Sequence, residues 1–301
     1  MIKKMIIKKT LIATLALLTL GLFYIFKEDN NTLNIQEKLE YVDNEVSLHD
    51  IFLLDSNNYL ALTHVVVNES KTELLAKELL DILIKDGKGE SKIPSGFKSI
   101  IPSNTEIKHI VYKENVLKLD FSKELLDVNK EIEEKVIESI IYTMTSIKEV
   151  NKVLIYVEGE ILSKLPKNNL ILPSSFDRKY GINKKYDITS ITDITPVTIY
   201  YINKYNDDYY YVPVTCYMND KSNKIKIIID ELKYNHNDLM SFLDANTKLI
   251  SAKEENNIMT LEFSNDIYSI NEEILKEVVD TITLSVLDNY DVDEVVFNIQ
   301  K

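Results

Sequence analysis

One cysteine, Cys216, stands in 301 residues. It excludes an internal disulfide and leaves too few thiolates for a structural zinc or iron–sulfur site. Glycine is also scarce. The six glycines, Gly21, Gly87, Gly89, Gly96, Gly159 and Gly181, build no phosphate-cradling loop, so nucleotide chemistry of the P-loop or Rossmann kind is not expected. Positive charge is in deficit, with 35 Lys and Arg against 48 Asp and Glu and a net of −13. Nucleic acid needs a concentrated basic face and is therefore disfavoured as a partner.

Catalytic patterns are equally thin. No serine or cysteine sits in a nucleophile elbow or beside a histidine. His49 and His64 fall on the two arms of one expected hairpin, but two histidines do not make a zinc site, and His109 and His236 stand alone. Glu158 and Glu160 read as a solvated strand end rather than an acid–base pair. Asp288, Asn289, Asp291 and Asp293 lack the turn glycine of a calcium loop. A hydrolase would need Glu124, Glu158 and His109 to converge in space. The expectation is a chain with no catalytic residue, no cofactor and no metal.

What is present begins at the N-terminus. Lys3, Lys4, Lys8 and Lys9 precede an uncharged apolar run from Leu11 to Phe26, closed by Lys27, Glu28 and Asp29. As a helix this run reaches about 24 Å, close to a bilayer core once the lysines snorkel. It ends in Leu22-Phe23-Tyr24-Ile25-Phe26, without the small residues of a cleavage site or the cysteine of a lipoprotein signal. An uncleaved transmembrane anchor over residues 1–27 is expected, single-pass, with the N-terminus cytoplasmic and the bulk of the chain extracytoplasmic. Residues 28–45 read as a stalk.

The body repeats itself. Residues 116–140 overlie residues 258–282 at a constant offset of 142, so that Leu119, Phe121, Ser122, Asn129, Glu131, Ile132, Val136 and Ile140 recur as Leu261, Phe263, Ser264, Asn271, Glu273, Ile274, Val278 and Ile282. Each copy opens with a hairpin, about Ser56-Asn57-Asn58 and about Asn206-Asp207-Asp208. A helix follows, with Ser70-Lys71-Thr72-Glu73 patterned as a capping box in the first copy. A second hairpin, a helix starting at a capping Asn129 or Asn271, and one closing strand complete each copy. The fold expected is α+β: an anchor helix, then two modules ordered β-β-α-β-β-α-β with two helices on one sheet face. The modules span 46–160 and 196–301, joined by a linker over 161–195.

Seven tyrosines fall in the second copy's first hairpin: Tyr200, Tyr201, Tyr205, Tyr209, Tyr210, Tyr211 and Tyr217. A cross-strand aromatic ladder accounts for them structurally. Tyr200, Tyr209 and Tyr211 are the candidate surface for a protein partner or a wall glycan.

LAKELLDILIKD, IPSGFKSIIPSNTEIKHI, VLKLDFSKELL and VNKVLIYVEGE together resemble the GerM domain of bacterial sporulation and spore germination proteins, and PSSFDRKYGINKKY resembles the segment after the first domain in tandem members. The second copy lacks the Pro/Gly loop and carries Asp238-Leu239-Met240-Ser241-Phe242 there. The resemblance implies a ring-building-motif-like fold. It also implies a non-catalytic, membrane-anchored scaffold that binds other envelope or sporulation proteins, with self-assembly through the modules as one form of that binding. A cell-wall glycan or peptide ligand is the alternative.

Overall fold

A computed structural model describes residues 47–269 and 273–300. The expected anchor, the stalk and the expected helix cap Asn271 lie outside the described residues. No helix among the described residues is long and apolar enough to cross a membrane.

Tight turns set the strands. Glu114 and Asn115 both have positive φ, as do Asn256 and Asn257, which is the backbone of a two-residue hairpin turn suited to strand twist. Around the first of these turns run β3 (Ile107–Lys113) and β4 (Val116–Phe121). Around the second run β10 (Leu249–Glu255) and β11 (Ile258–Phe263). The closing strands β5 (Lys152–Val157) and β12 (Glu294–Ile299) then pair in parallel with β4 and β11. The short β6 (Glu160–Ile161) lies against β5.

The opening hairpins, β1 (Leu48–Leu54) with β2 (Leu60–Val66) and β8 (Thr195–Tyr205) with β9 (Asp208–Met218), do not join the sheets of their own copies. They join each other. β2 meets β9 antiparallel at Leu62 and Tyr211, and β7 (Lys185–Asp187) adds to the same side of β9. The expectation of one sheet per module under two helices is therefore corrected. An isolated two-stranded hairpin is marginal in water, and pooling two of them buries both.

The helices are α1 (Thr72–Leu83), α2 (Glu133–Met144), α3 (Lys224–Leu232) and α4 (Lys276–Asn289). Pooling leaves β1 and β8 as outer edges, and each is closed the same way. In the first copy Phe52 N donates to Thr143 Oγ1 at 3.1 Å, and Ser139 Oγ donates to Phe52 O at 2.7 Å. In the second, Tyr200 N donates to Ser285 Oγ at 2.9 Å, and Asn289 Nδ2 donates to Thr198 O at 2.6 Å. Thr143 and Ser285 are repeat equivalents. The next edge position is closed by a loop backbone: Leu54 exchanges two hydrogen bonds with Lys98, and Ile202 exchanges two with Met240. The Asp238–Phe242 stretch thus performs the pairing of the Pro/Gly loop it replaces.

α2 is consequently buried on two sides. Val136, Ile137, Ile140, Ile141 and Met144 enter the apolar core, while Glu138, Ser139, Tyr142 and Thr143 are buried against β1 and the connecting segment. Two expected caps do not form. α1 starts after Lys71 and α2 after Ile132, neither with a side-chain cap, because Ser70 and Asn129 sit too far upstream of the first helical turn.

A buried donor with no acceptor costs about 1–3 kcal/mol. We expect Thr143→Val and Ser285→Ala each to lower unfolding free energy by that amount in urea titrations. An unchanged midpoint in both would mean that the edges do not depend on these hydroxyls.

Candidate functional site

The polar chemistry of the body collects along the seam between the two copies. Asp55, 2% exposed, directly follows β1 and uses both carboxylate oxygens. Oδ1 accepts from the backbone N–H groups of Asn57 and Tyr59, and Oδ2 accepts from Asn203 Nδ2 and Tyr210 OH of the second copy. Tyr59 OH and Asn57 Nδ2 both donate to Asp238. Gly96, at positive φ, lets the Pro/Gly loop press on the Tyr205 ring, where an added Cβ would fall 2.6 Å from a ring carbon. Phe97 stands edge-on to Tyr210, with ring centroids 5.0 Å apart.

The connecting segment works as a strap. Phe176 pairs with Val153 through two backbone hydrogen bonds and buries its ring. Arg178 sits between the helices, donating to Asp288 Oδ1 at 3.2 Å, and its guanidinium lies 4.8 Å from the Tyr142 ring centroid. Burial is the largest single influence and opposes its charge, but Asp288, Tyr200 and Tyr142 together hold the guanidinium above its usual range. Asn183 fills the gap where β2 and β9 diverge, accepting from Leu60 N and donating to Leu60 O and Pro213 O.

Beside Asn183 a cleft of about 720 Å³ opens, floored by Lys135, Glu138 and Lys184 and flanked by Tyr59 and His236. Lys184 Nζ lies 2.6 Å from Glu134 and 3.6 Å from Glu138. Burial raises the Glu138 carboxyl to about 7 against the pull of Lys184 and Lys135, and burial lowers Lys135.

The tyrosines divide. Tyr200, proposed as a contact residue, is 2% exposed and donates to Asp288, so it belongs to the interior. The edge closure that packs α4 on β8 covers it. Tyr211 is half-buried and donates to Asp280 at 2.6 Å. Tyr209 is 43% exposed, edge-on to Phe242 and beneath Lys204. Register puts all three on one sheet face, since Tyr200, Ile202 and Lys204 oppose Pro213, Tyr211 and Tyr209.

Of the other candidates, Glu124 and Glu158 come within electrostatic reach of each other, Glu158 accepting from the Lys123 amide. His64 lies opposite Asp50, not His49, so the two histidines project from opposite faces of the hairpin. His64 Nδ1 pairs with Asp50, and His49 Nε2 is buried without a partner. No group of three metal-ligating side chains occurs among the described residues. Glu158 is held below the usual carboxylate range by Lys108 and then by the Lys123 amide, and Glu124 by Ser122. Neither can store a proton near neutral pH. Burial pushes the Cys216 thiol up to about 12. Asp288 and Asn289 are spent on Arg178 and on the edge of β8.

Sequence reading missed Asp55, Arg178, Asn183 and Glu138. Arg178 and Asn183 did carry a signal, because a spacer has no reason to hold a family-like PSSFDRKYGINKKY pattern.

Removing one member of a buried ion pair costs about 3–5 kcal/mol. We expect Arg178→Ala and Asp288→Ala each to destabilise the body on that scale in denaturant, and the double variant to cost less than the sum. Additive losses would show that the pair is not coupled.

Glu138 has a folded carboxyl raised above its unfolded value near 4.5. The native state therefore binds more protons between these values, and stability falls as pH rises from about 4.5 to about 7. We expect Glu138→Gln to remove that loss, gaining on the order of 3 kcal/mol over wild type between pH 4.5 and pH 8. Parallel stability curves for the two proteins would overturn the assignment.

Residues 50–163 match the family model described as Germane: Sporulation and spore germination. The spore germination protein GerM of Bacillus subtilis (strain 168) is 28% identical over 258 residues, covering 82% of this chain and 70% of that protein. The solved tandem GerMN domains of the sporulation protein GerM from Bacillus subtilis superpose with a TM-score of 0.77 at 27% identity, covering 85% of this chain and 91% of that one. The isolated first GerMN domain from the same organism aligns over 44% of this chain and 98% of its own length, at 25% identity and a TM-score of 0.41. The first copy thus carries the Germane match, and across both copies the chain has a mixed α+β fold similar to that of the tandem-domain GerM.

Proposed function

We propose that this chain is an envelope protein of sporulation or spore germination that acts by binding other proteins and catalyses nothing. Residues 46–160 and 196–301 are read as its two GerM-like domains, held to the membrane by the N-terminal apolar run. The observation that carries the reading is the likeness to tandem-domain GerM across both copies. Two features support a binding role over a catalytic one. Glu158 and Glu124 lie near each other but are both held ionised, by Lys108 and by Ser122, and the buried polar groups at the seam spend their hydrogen bonds on joining the copies.

A second reading rests on Tyr209. Its exposed ring beside Phe242 and under Lys204 is a surface on which a sugar ring or peptide could stack.

Cross-linking in sporulating cells with a photoreactive group at position 209, followed by identification of captured chains, tests both readings. The interaction reading expects specific envelope proteins, together with a spore or germination defect in a deletion strain. Normal spores and no captured protein sink it. Retention on purified cell wall, lost in Tyr209→Ala, would select the glycan reading instead.

A further inference from the structure

The four outer edges of the two smaller sheets are not treated alike. β3 and β10 are each interrupted by a register shift at equivalent positions, between Ile107 and His109 and between Leu249 and Ser251. Such bulges blunt an edge against strand addition. The outer edge of β5 is occupied: Val153 exchanges two hydrogen bonds with Phe176, Leu162 N donates to Ile155 O, and β6 pairs with Tyr156 and Val157.

β12 is the repeat equivalent of β5 and has neither device. Its register with β11 is continuous from Glu294 to Ile299. Gln300 N donates to Phe263 O, as Glu158 N does to Phe121 O, so alternate residues Val295, Phe297 and Ile299 turn their backbone groups outward. No described residue is hydrogen-bonded to them there. Their side chains are apolar all the same. Val153 and Ile155 are fully buried beneath the strap, while Val295 and Phe297 at the matching positions are only partly buried.

We propose that the outer edge of β12 is a docking site for an extended, basic segment of another protein, added antiparallel with a large apolar residue opposite Val295. The first copy supplies the template, since Phe176 occupies that place opposite Val153. Main-chain pairing gives such a complex its affinity, and the apolar residue gives it register. Charge selects the occupant. Asp291, Asp293 and Glu294 lead into the strand exposed, and β10 and β11 add Glu254, Glu255 and Glu262 against Lys253. In a chain of net charge −13 this edge suits a basic foreign segment better than a second copy.

This site rests on the reading of the chain as an interaction protein, and the test separates the two. The probe is a synthetic peptide copying residues 172–179 with two added lysines at each end, titrated onto the full chain. Expected are saturable binding, slowed amide exchange at Val295 and Phe297, and at least a tenfold loss when the peptide's phenylalanine amide is N-methylated. Val295→Pro, which removes an outward N–H and leaves the β11 pairing intact, should weaken binding as much; if it fails to fold, the N-methylated peptide decides. Equal binding by the N-methylated peptide, or Val295 and Phe297 amides already protected in the free chain, overturns the site. So does a chain dimer abolished by Val295→Pro. Envelope proteins captured elsewhere on the body, with no response at β12, would remove this site while leaving the interaction reading intact.

Discussion

A β-hairpin cannot satisfy its outer backbone groups by itself, and everything distinctive in this body follows from how two hairpins meet that constraint together. β2 and β9 touch at one antiparallel bridge and then diverge. Twist makes divergence unavoidable when two strongly twisted ribbons join edge to edge. Backbone groups exposed in the resulting gap would be buried without partners, and a single side-chain amide, Asn183, supplies both a donor and an acceptor to them. That residue adopts a positive φ to reach its place, which asparagine tolerates better than most. The outer edges β1 and β8 are then the remaining debt, and they are met by hydroxyl and amide side chains from helices whose opposite faces feed the two apolar cores.

The seam is accordingly polar where an ordinary domain junction could have been apolar. Buried ion pairs such as Arg178 with Asp288 give little net stability, because desolvation offsets most of their attraction. Their geometry is nonetheless restrictive. Arg178 must lie between the Tyr142 ring and Asp288, and Asp55 must receive two donors from each copy. Sliding β9 along β2 would strand all of these groups at once. The seam therefore fixes one relative placement of the copies and penalises every other, and Val46–Lys301 behaves as a single compact unit.

Much of the local structure was legible in the sequence, because turn chemistry and hydrophobic period act over a few residues. The paired asparagines at 256 and 257 fix a hairpin turn, and the 142-residue offset carries each strand of the first copy onto the second. The partner of a strand is a different matter. Nothing between Leu48 and Val66 distinguishes pairing with a neighbour in its own copy from pairing with the equivalent strand of the other, since both bury the same alternating face. The hydroxyl stripe of α2 had the same ambiguity: Ser139 and Thr143 occupy what a solvent-facing side would occupy. Tyr142 between them was the clue, as a large aromatic on a supposedly wet face argues that the face is covered. Tyr200 was misplaced for a related reason, because an aromatic ladder and an aromatic contact surface share one sequence pattern and only the helix packed over it separates them.

Duplication explains the resemblance of the copies, but their differences follow what each copy touches. The Pro/Gly loop of the first copy and Asp238–Phe242 of the second make the same backbone exchange with an edge strand, at Leu54 and at Ile202. They part where their neighbours part. Gly96 is needed because Tyr205 of the second copy presses on it, whereas the corresponding loop of the second copy turns Asp238 back toward Tyr59 and Asn57 of the first. The two unequal copies thus use one loop as a small surface and the other as an acceptor. Once the copies had such separate duties at the seam, the surfaces facing away from it were free to diverge as well. The body then presents an acidic sheet on the second copy where the first is closed by its strap. Asymmetry of that kind makes the two copies present unlike surfaces, which a pair of identical modules would not.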